Sequence, residues 1–159
     1  MSEHTLDLAL RLPRQRETGP EFIPDRAALV AAFFREAVNE GDLTILSEFA
    51  HPGLRDLSDD RLFEDGIEGL RFAVEHARRA MPDIYGRILC IKHTAADIVE
   101  IDLGFTATYT GSPLAPSGRQ GLPARWRQRH SWSFLGSRVN AHRGYIDRAT
   151  LRATLGDPY

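Results

Sequence analysis

The spacing of hydrophobic positions along the chain changes at Pro82. Before it, apolar residues recur at helical intervals. Over 25–40, Leu29, Val30, Phe33, Phe34, Ala37 and Val38 make one wide apolar stripe, which predicts an amphipathic helix. Pro24 and Asp25 suit its start, and Gly41 suits its left-handed stop. A second, shorter helix is predicted over 43–50, with Leu43, Leu46 and Phe49 inward. A third over 67–80 would bury Ile67, Leu70, Val74 and Ala77 before Pro82 ends it. Between these two lies a loop rich in aspartate.

After Pro82 the period falls to two, the spacing of a half-buried strand. One strand is predicted over 84–93. A second over 97–109 places Ile101, Leu103, Phe105, Ala107 and Tyr109 on one face, and Asp102, Gly104, Thr106 and Thr108 on the other. The loop TGSPLAPSGRQGLPA then leads into a strand pair over 125–147, joined by a tight turn at Gly136-Ser137, and a short helix over 149–155 closes the chain. Helices followed by an antiparallel meander predict an α+β fold, with three N-terminal helices covering one face of a curved antiparallel sheet of about four to six strands. Residues 1–24, with Pro13, Gly19, Pro20 and Pro24 among charges, read as an N-terminal arm, ordered or disordered, and 25–159 as a single domain.

The strand over 125–135 carries the functional hint. Its inner face reads Trp126, Gln128, His130, Trp132, Phe134, and its outer face Arg125, Arg127, Arg129, Ser131, Ser133. A purely structural strand would fill the inner face with Val, Ile and Leu. An amide and an imidazole among large rings look more like a cavity wall than a dry core. His130 ordinarily titrates near neutrality, so modest desolvation or a nearby carboxylate would set its charge. His142 lies on the next strand and, on simple alternation, shares a face with Asn140, Gly144 and Ile146. If that pair has no bulge, both imidazoles face one space. Asp56, in HPGLRDL, is the carboxylate best suited to join them as a general base, although a helix-cap or loop aspartate is the simpler explanation. Trp126 and Trp132 suit either a wall for a flat ligand or plain core packing.

Composition narrows the function class. With 159 residues and 42% hydrophobic content, one globular domain is expected. A net charge of -2 argues against nucleic-acid binding driven by bulk electrostatics. Bases nevertheless concentrate after Pro116, and acids between Arg55 and Glu68. These two sets could pair within the fold or across a dimer, or be solvated. Cys90 is the single cysteine, which excludes an intrachain disulfide. It sits in a predicted strand as a small buried residue. No run of apolar residues approaches the ~20 needed to span a bilayer, and MSEHTLDLAL does not have the form of a signal peptide. A soluble, cytoplasmic protein with no membrane partner is therefore expected. The six histidines form no metal signature, and no phosphate loop, dinucleotide fingerprint or GxSxG elbow is present.

The helix ending NEGDLTILSEFAHPGL, then GIEGLRFAVEHARRAMPD, the loop GSPLAPSGRQ and above all HSWSFLGSRVNAHRGYIDRATLRATLGDP resemble, in order and spacing, the SnoaL-like polyketide cyclases. These share a conical fold with nuclear transport factor and ketosteroid isomerase. The resemblance covers roughly 27–159. It implies a deep, mostly apolar pocket between sheet and helices, in a homodimer formed through the sheet. It also implies proton abstraction from a hydrophobic, polyketide-like substrate, starting an intramolecular aldol closure without metal or organic cofactor. Carried over residue by residue, the family histidine on the penultimate strand falls at His130, and the histidine two before the catalytic aspartate falls at His142. The aspartate's own position is Gly144, in HRGY where a cyclase would read HRDW. Asp147 falls on another acidic position, which is not the base.

Glycine transfers no proton, so three readings stand. The base has moved, to Asp56 acting with His130; or the chemistry differs, as in cofactor-free hydroxylation, isomerisation or epoxide opening; or the protein binds a flat hydrophobic ligand without turning it over. The leading expectation is a cofactor-independent cyclase or isomerase of secondary metabolism, with His130, Asp56 and His142 catalytic. Trp126, Gln128, Trp132, Phe105 and Phe33 would hold the substrate, and Gly144 would enlarge the cavity for it.

Overall fold

The computed structural model describes residues 25–108 and 121–155, so the N-terminal arm, Tyr109 and most of the Gly/Pro-rich loop lie outside the described residues. Helix α1 (Arg26–Ala32) starts where Asp25 accepts the N–H groups of Ala27 and Ala28 at 2.9 and 3.2 Å. It runs on as a π-helical stretch, Phe33–Asn39, whose wider turn sets Phe33, Phe34 and Ala37 together on the buried side. Gly41, at φ 76°, ends it. Arg78 then donates to the half-buried carbonyls of Val38 and Asn39, at 2.7 and 3.0 Å. The stop needs glycine for its positive φ; a Cβ at position 41 would also come 2.7 Å from Arg78 Nε, the end of a side chain that would have to move aside.

A 3₁₀ turn (Leu43–Ile45) and α2 (Leu46–Phe49) follow, where the sequence suggested one helix. The pattern did not reveal β1 (Ala50–Asp56), which starts within the predicted second helix and carries on into the expected loop. Pro52 and Gly53 give this stretch the composition of a loop. Its pairing is correspondingly irregular, with a register shift between Ala50 and Arg55. Helix α3 (Gly66–Ala80) buries Leu70 and Val74. Then come β2 (Tyr85–Ala95), β3 (Ile98–Thr108), β4 (Pro123–Leu135), β5 (Arg138–Ile146) and α4 (Arg148–Leu155).

The sheet order is β1-β5-β4-β3-β2. The four strands after Pro82 form the expected antiparallel meander, and β1 adds a parallel edge against β5. Burial along β4 alternates as the sequence suggested, with Trp126, His130, Trp132 and Phe134 buried between exposed arginines and half-buried serines. The alternation in β5 is interrupted. Phe134 pairs with Val139, but Ser133 pairs with Ala141, which leaves Asn140 as an extra residue. This bulge turns both Val139 and His142 inward, so Asn140 does not share the face of His142 as strict alternation suggested. Phe33, Phe49 and Trp132 lock the helices to the sheet: the two phenyl rings stack at 4.4 Å, and the indole meets Phe49 edge-on at 5.0 Å. None of the described helices is long and apolar enough to cross a membrane.

Candidate active site

A cavity of about 530 Å³ opens between the inner face of the sheet and the helices. Its wall is mostly apolar, with Phe33, Phe34, Phe105, Trp126 and Trp132 among the lining residues, and its volume falls in the range of small-molecule sites. Phe105 and Trp126 are register partners on β3 and β4, and their rings stack at 5.4 Å with 13° between planes. Gln128 and His130 are the polar members of the same wall, and Arg61, His76, Arg78 and Arg148 also line the cavity.

Among the described residues, the core buries three polar side chains, Asp56, His130 and His142. They are joined end to end. Asp56 Oδ1 lies 2.9 Å from His142 Nδ1, His142 Nε2 lies 2.8 Å from His130 Nδ1, and His130 Nε2 lies 2.8 Å from Gln128 Oε1. The last residue of β1 thus reaches the cavity through one imidazole from β5 and one from β4. Three features of the backbone bring this about. The parallel pairing sets Asp56 beside His142, the bulge turns His142 inward, and the β4–β5 register places His130 across from Gly144.

Asp56 is held as a carboxylate. Burial works against its charge, but hydrogen bonds from His142, from the hydroxyl and N–H of Ser58 and from the N–H of Leu62 outweigh that, so its pKa lies well below the usual carboxylate range. Phe63 N–H adds a further donor to Oδ2, at 3.2 Å. An ionised carboxylate only accepts, so His142 must donate from Nδ1. For the histidines burial dominates in the other direction. It lowers His142 despite the hydrogen bond and attraction from Asp56. His130 is lowered well below its ordinary value by burial, then by His142, against the pull of Asp56. Both rings are therefore neutral near pH 7.

The neutral chain has one consistent proton order. His142 donates from Nδ1 to Asp56, its Nε2 accepts from His130 Nδ1–H, and His130 Nε2 is left as a lone pair beside Gln128 and the cavity. That order requires the Gln128 amide turned over from the recorded orientation, so that its NH₂ rather than Oε1 meets that nitrogen. With Oε1 turned toward it, the same chain holds one more proton, with N–H at His130 Nε2 and an imidazolium at His142 facing Asp56. Rotation of the Gln128 amide therefore accompanies gain or loss of a single proton.

The sequence-predicted residues Phe33, Phe105, Trp126, Gln128, His130, Trp132 and His142 all line the cavity. Asp56 stands behind His142 with its side chain fully covered. Gly144 is a correction, because it neither lines nor enlarges the cavity. A Cβ there would meet Leu62 Cδ1 at 2.6 Å and His142 Cε1 at 2.7 Å, so the space a family aspartate would need is already occupied. Sequence reasoning missed Phe34, whose ring lies 5.1 Å from His130, and Phe63, equally far from His142. It also missed Ser58, although Asp-x-Ser is the sequence signature of an Asx turn, in which a side-chain oxygen accepts an N–H two residues on. Among the described residues, no group of three or more His, Cys, Asp or Glu side chains is arranged to hold a metal ion.

Comparison with known proteins follows the same line. The family model described as SnoaL-like polyketide cyclase matches residues 28–155. A polyketide cyclase candidate from Acidithiobacillus ferrooxidans is 25% identical over 82% of this chain and 94% of its own, with a TM-score of 0.67. The hydroxylase candidate AclR of Streptomyces galilaeus is 24% identical over 84% and 97%, with a TM-score of 0.69. IdmH, a polyketide cyclase candidate of Streptomyces antibioticus, is 21% identical over 82% and 98%, with a TM-score of 0.68. No curated protein matches the chain in sequence.

Proposed function

The chain belongs to the SnoaL-like polyketide cyclase family, and on that premise we propose that it is a cofactor-independent cyclase or isomerase of polyketide-like substrates whose base is the His130–His142–Asp56 relay. The supporting observation is the unbroken hydrogen-bonded chain from a buried carboxylate to a cavity-facing imidazole nitrogen. A flat polycarbonyl substrate lies against Trp126 and Phe105, with an acidic C–H between two carbonyls at His130 Nε2.

The Gln128 amide swings off His130 Nε2, whose one lone pair then takes that proton, and the C–H electron pair becomes an enolate spread over the adjacent carbonyls. His130 passes its Nδ1 proton to His142 Nε2, so the positive charge comes to rest beside Asp56. The enolate carbon attacks a carbonyl of the same molecule, forming the ring bond, and the resulting alkoxide recovers a proton from His130 Nε2 as the relay reverses. Substrate and product are isomers, so the proton balance closes. The apolar wall contributes orientation, worth several kcal/mol when the reacting atoms are held near contact.

The test is His130→Ala on a polycarbonyl substrate that undergoes aldol closure. Turnover is expected to fall about 10²–10⁴-fold, as for loss of a positioned general base. Turnover equal to the parent protein would remove His130, and with it the relay, from the mechanism.

A further inference from the structure

We propose that Ser58 is a positioning residue of the relay, and that its hydroxyl sets how strongly Asp56 holds the His142 proton. The inference rests on the reading of Asp56, His142 and His130 as one proton relay. Its foundation is a hydrogen bond that fixes the direction of another. Gly144 N–H donates to Ser58 Oγ at 2.7 Å. With that acceptor site filled, the hydroxyl proton is directed at Asp56 Oδ1, the oxygen that also takes His142 Nδ1–H. Ser58 N–H meets the same oxygen at 3.1 Å. One carboxylate oxygen is thus shared between the relay and a serine clamped by β5.

The arrangement has a chemical consequence. A hydroxyl donated to Oδ1 spreads the carboxylate charge and makes that oxygen a weaker acceptor toward His142. The His142 imidazolium is then less stabilised, and the relay less basic, than an unshared Asp56 would make it. Ser58 in this way keeps His130 Nε2 unprotonated and ready as a base at neutral pH. Gly144 takes part through its backbone: β5 carries no acid here, and its N–H steers the serine that tunes the acid on β1.

The charged and titratable groups around this cluster are few. His142 and His130 face Asp56 from β5 and β4. His76 lines the same cavity from α3. Around the loop after β1, Arg143 donates to Leu57 O, Arg61 donates to Phe63 O, and Arg148 pairs with Asp60. Among the described residues, Ser58 is the side chain besides His142 that donates to Asp56.

The experiment is a pH titration of the full-length protein labelled with ¹⁵N-histidine, reading ring-nitrogen shifts, with no substrate present. In Ser58→Ala the relay midpoint is expected to rise by about 0.5–1 pH unit. His142 should keep its Nδ1–H tautomer, and the Leu62 and Phe63 amides should remain protected from hydrogen exchange. Ser58→Thr, which retains the hydroxyl, should restore the parent midpoint. An unshifted midpoint in Ser58→Ala would overturn the proposal. So would a shift accompanied by loss of Leu62 and Phe63 protection, since Ser58 would then only brace the loop. Because no turnover is measured, this outcome is independent of the His130→Ala assay: tuning can fail while catalysis stands, and the reverse.

Discussion

Asp56→Asn removes a single charge from the relay and should reverse its direction. The carboxylate accepts from Ser58 N–H and O–H, Leu62 N–H, Phe63 N–H and His142 Nδ1–H. An amide offers one oxygen for those donors and adds an NH₂ of its own. If the oxygen stays with Leu62 and Phe63, the NH₂ faces His142, which must turn a lone pair to it at Nδ1. His142 Nε2 then carries the proton and donates to His130 Nδ1, leaving His130 Nε2 as an N–H toward the cavity. The base is lost through tautomer exchange with every ring still in place. A buried pair broken on one side costs about 3–5 kcal/mol. With the amide keeping part of the network, we expect about 2–4 kcal/mol, a fall in Tm of roughly 5–15 °C for a chain of this size. Turnover should fall about 10³–10⁴-fold, as when the acid of a Ser-His-Asp triad becomes an amide. The assay combines ¹⁵N-histidine spectra, a thermal melt and turnover of a cyclisable substrate. A His130 Nε2 still unprotonated in the folded variant, or activity within about tenfold of the parent protein, would refute the reasoning.

Gly144→Asp places a carboxylate on β5 next to the relay yet should not raise activity. Its Cβ collides with Leu62 and His142, so overpacking should cost about 1–3 kcal/mol in a denaturant melt. Leu62→Ala in the same chain should recover part of that, as a non-additive pair in a double-mutant cycle. Gln128→Glu places a negative charge beside His130 Nε2 and should raise the His130 pKa. The relay would then hold its extra proton at neutral pH, and the acidic limb of the kcat/KM profile should move to higher pH. Stability should also depend on acid. His130 and His142 are lowered in the folded state, so below the unfolded value of ~6.5 the unfolded chain takes up protons that the folded chain excludes. Stability is complete above that pH. It should fall as pH drops through the window between the unfolded and folded values, by about 1.4 kcal/mol per pH unit for each histidine, measured as urea midpoints between pH 7 and 5. The His130→Ala variant should show a shallower slope.

The fold was legible wherever one face met water and the other met the core. The apolar stripe of α1 and the alternation of β3 and β4 announce themselves because burial there is periodic. Strand β1 was not, since Pro52 and Gly53 break the period and its place depends on β5, more than eighty residues away in sequence. The site divides in the same way. His130 and Gln128 stood out because β4 is regular and polar residues interrupt an aromatic face. The inward turn of His142 depends on the bulge at Asn140, and no local pattern gave that away. For Asp56 the sequence offers only chemistry, a carboxylate that two histidines could use. Its position is set by backbone amides of a loop whose sequence shows mainly charge.

The glycine at position 144 and the carboxylate at position 56 belong together. An acid on β5 would need its Cβ where Leu62 and His142 now sit, and Leu62 is held there because its N–H is committed to Asp56. A β5 acid therefore requires the Leu62 methyl and the His142 ring to shift. With Asp56 on β1 the loop closes, Leu62 fills the space above Gly144, and His142 is free to bridge. Placing the charge behind two imidazoles keeps it out of a cavity that is otherwise apolar, where a bare carboxylate would be costly to desolvate. In the proposed mechanism the cavity is left with a neutral nitrogen as its base, backed by a carboxylate covered behind His142.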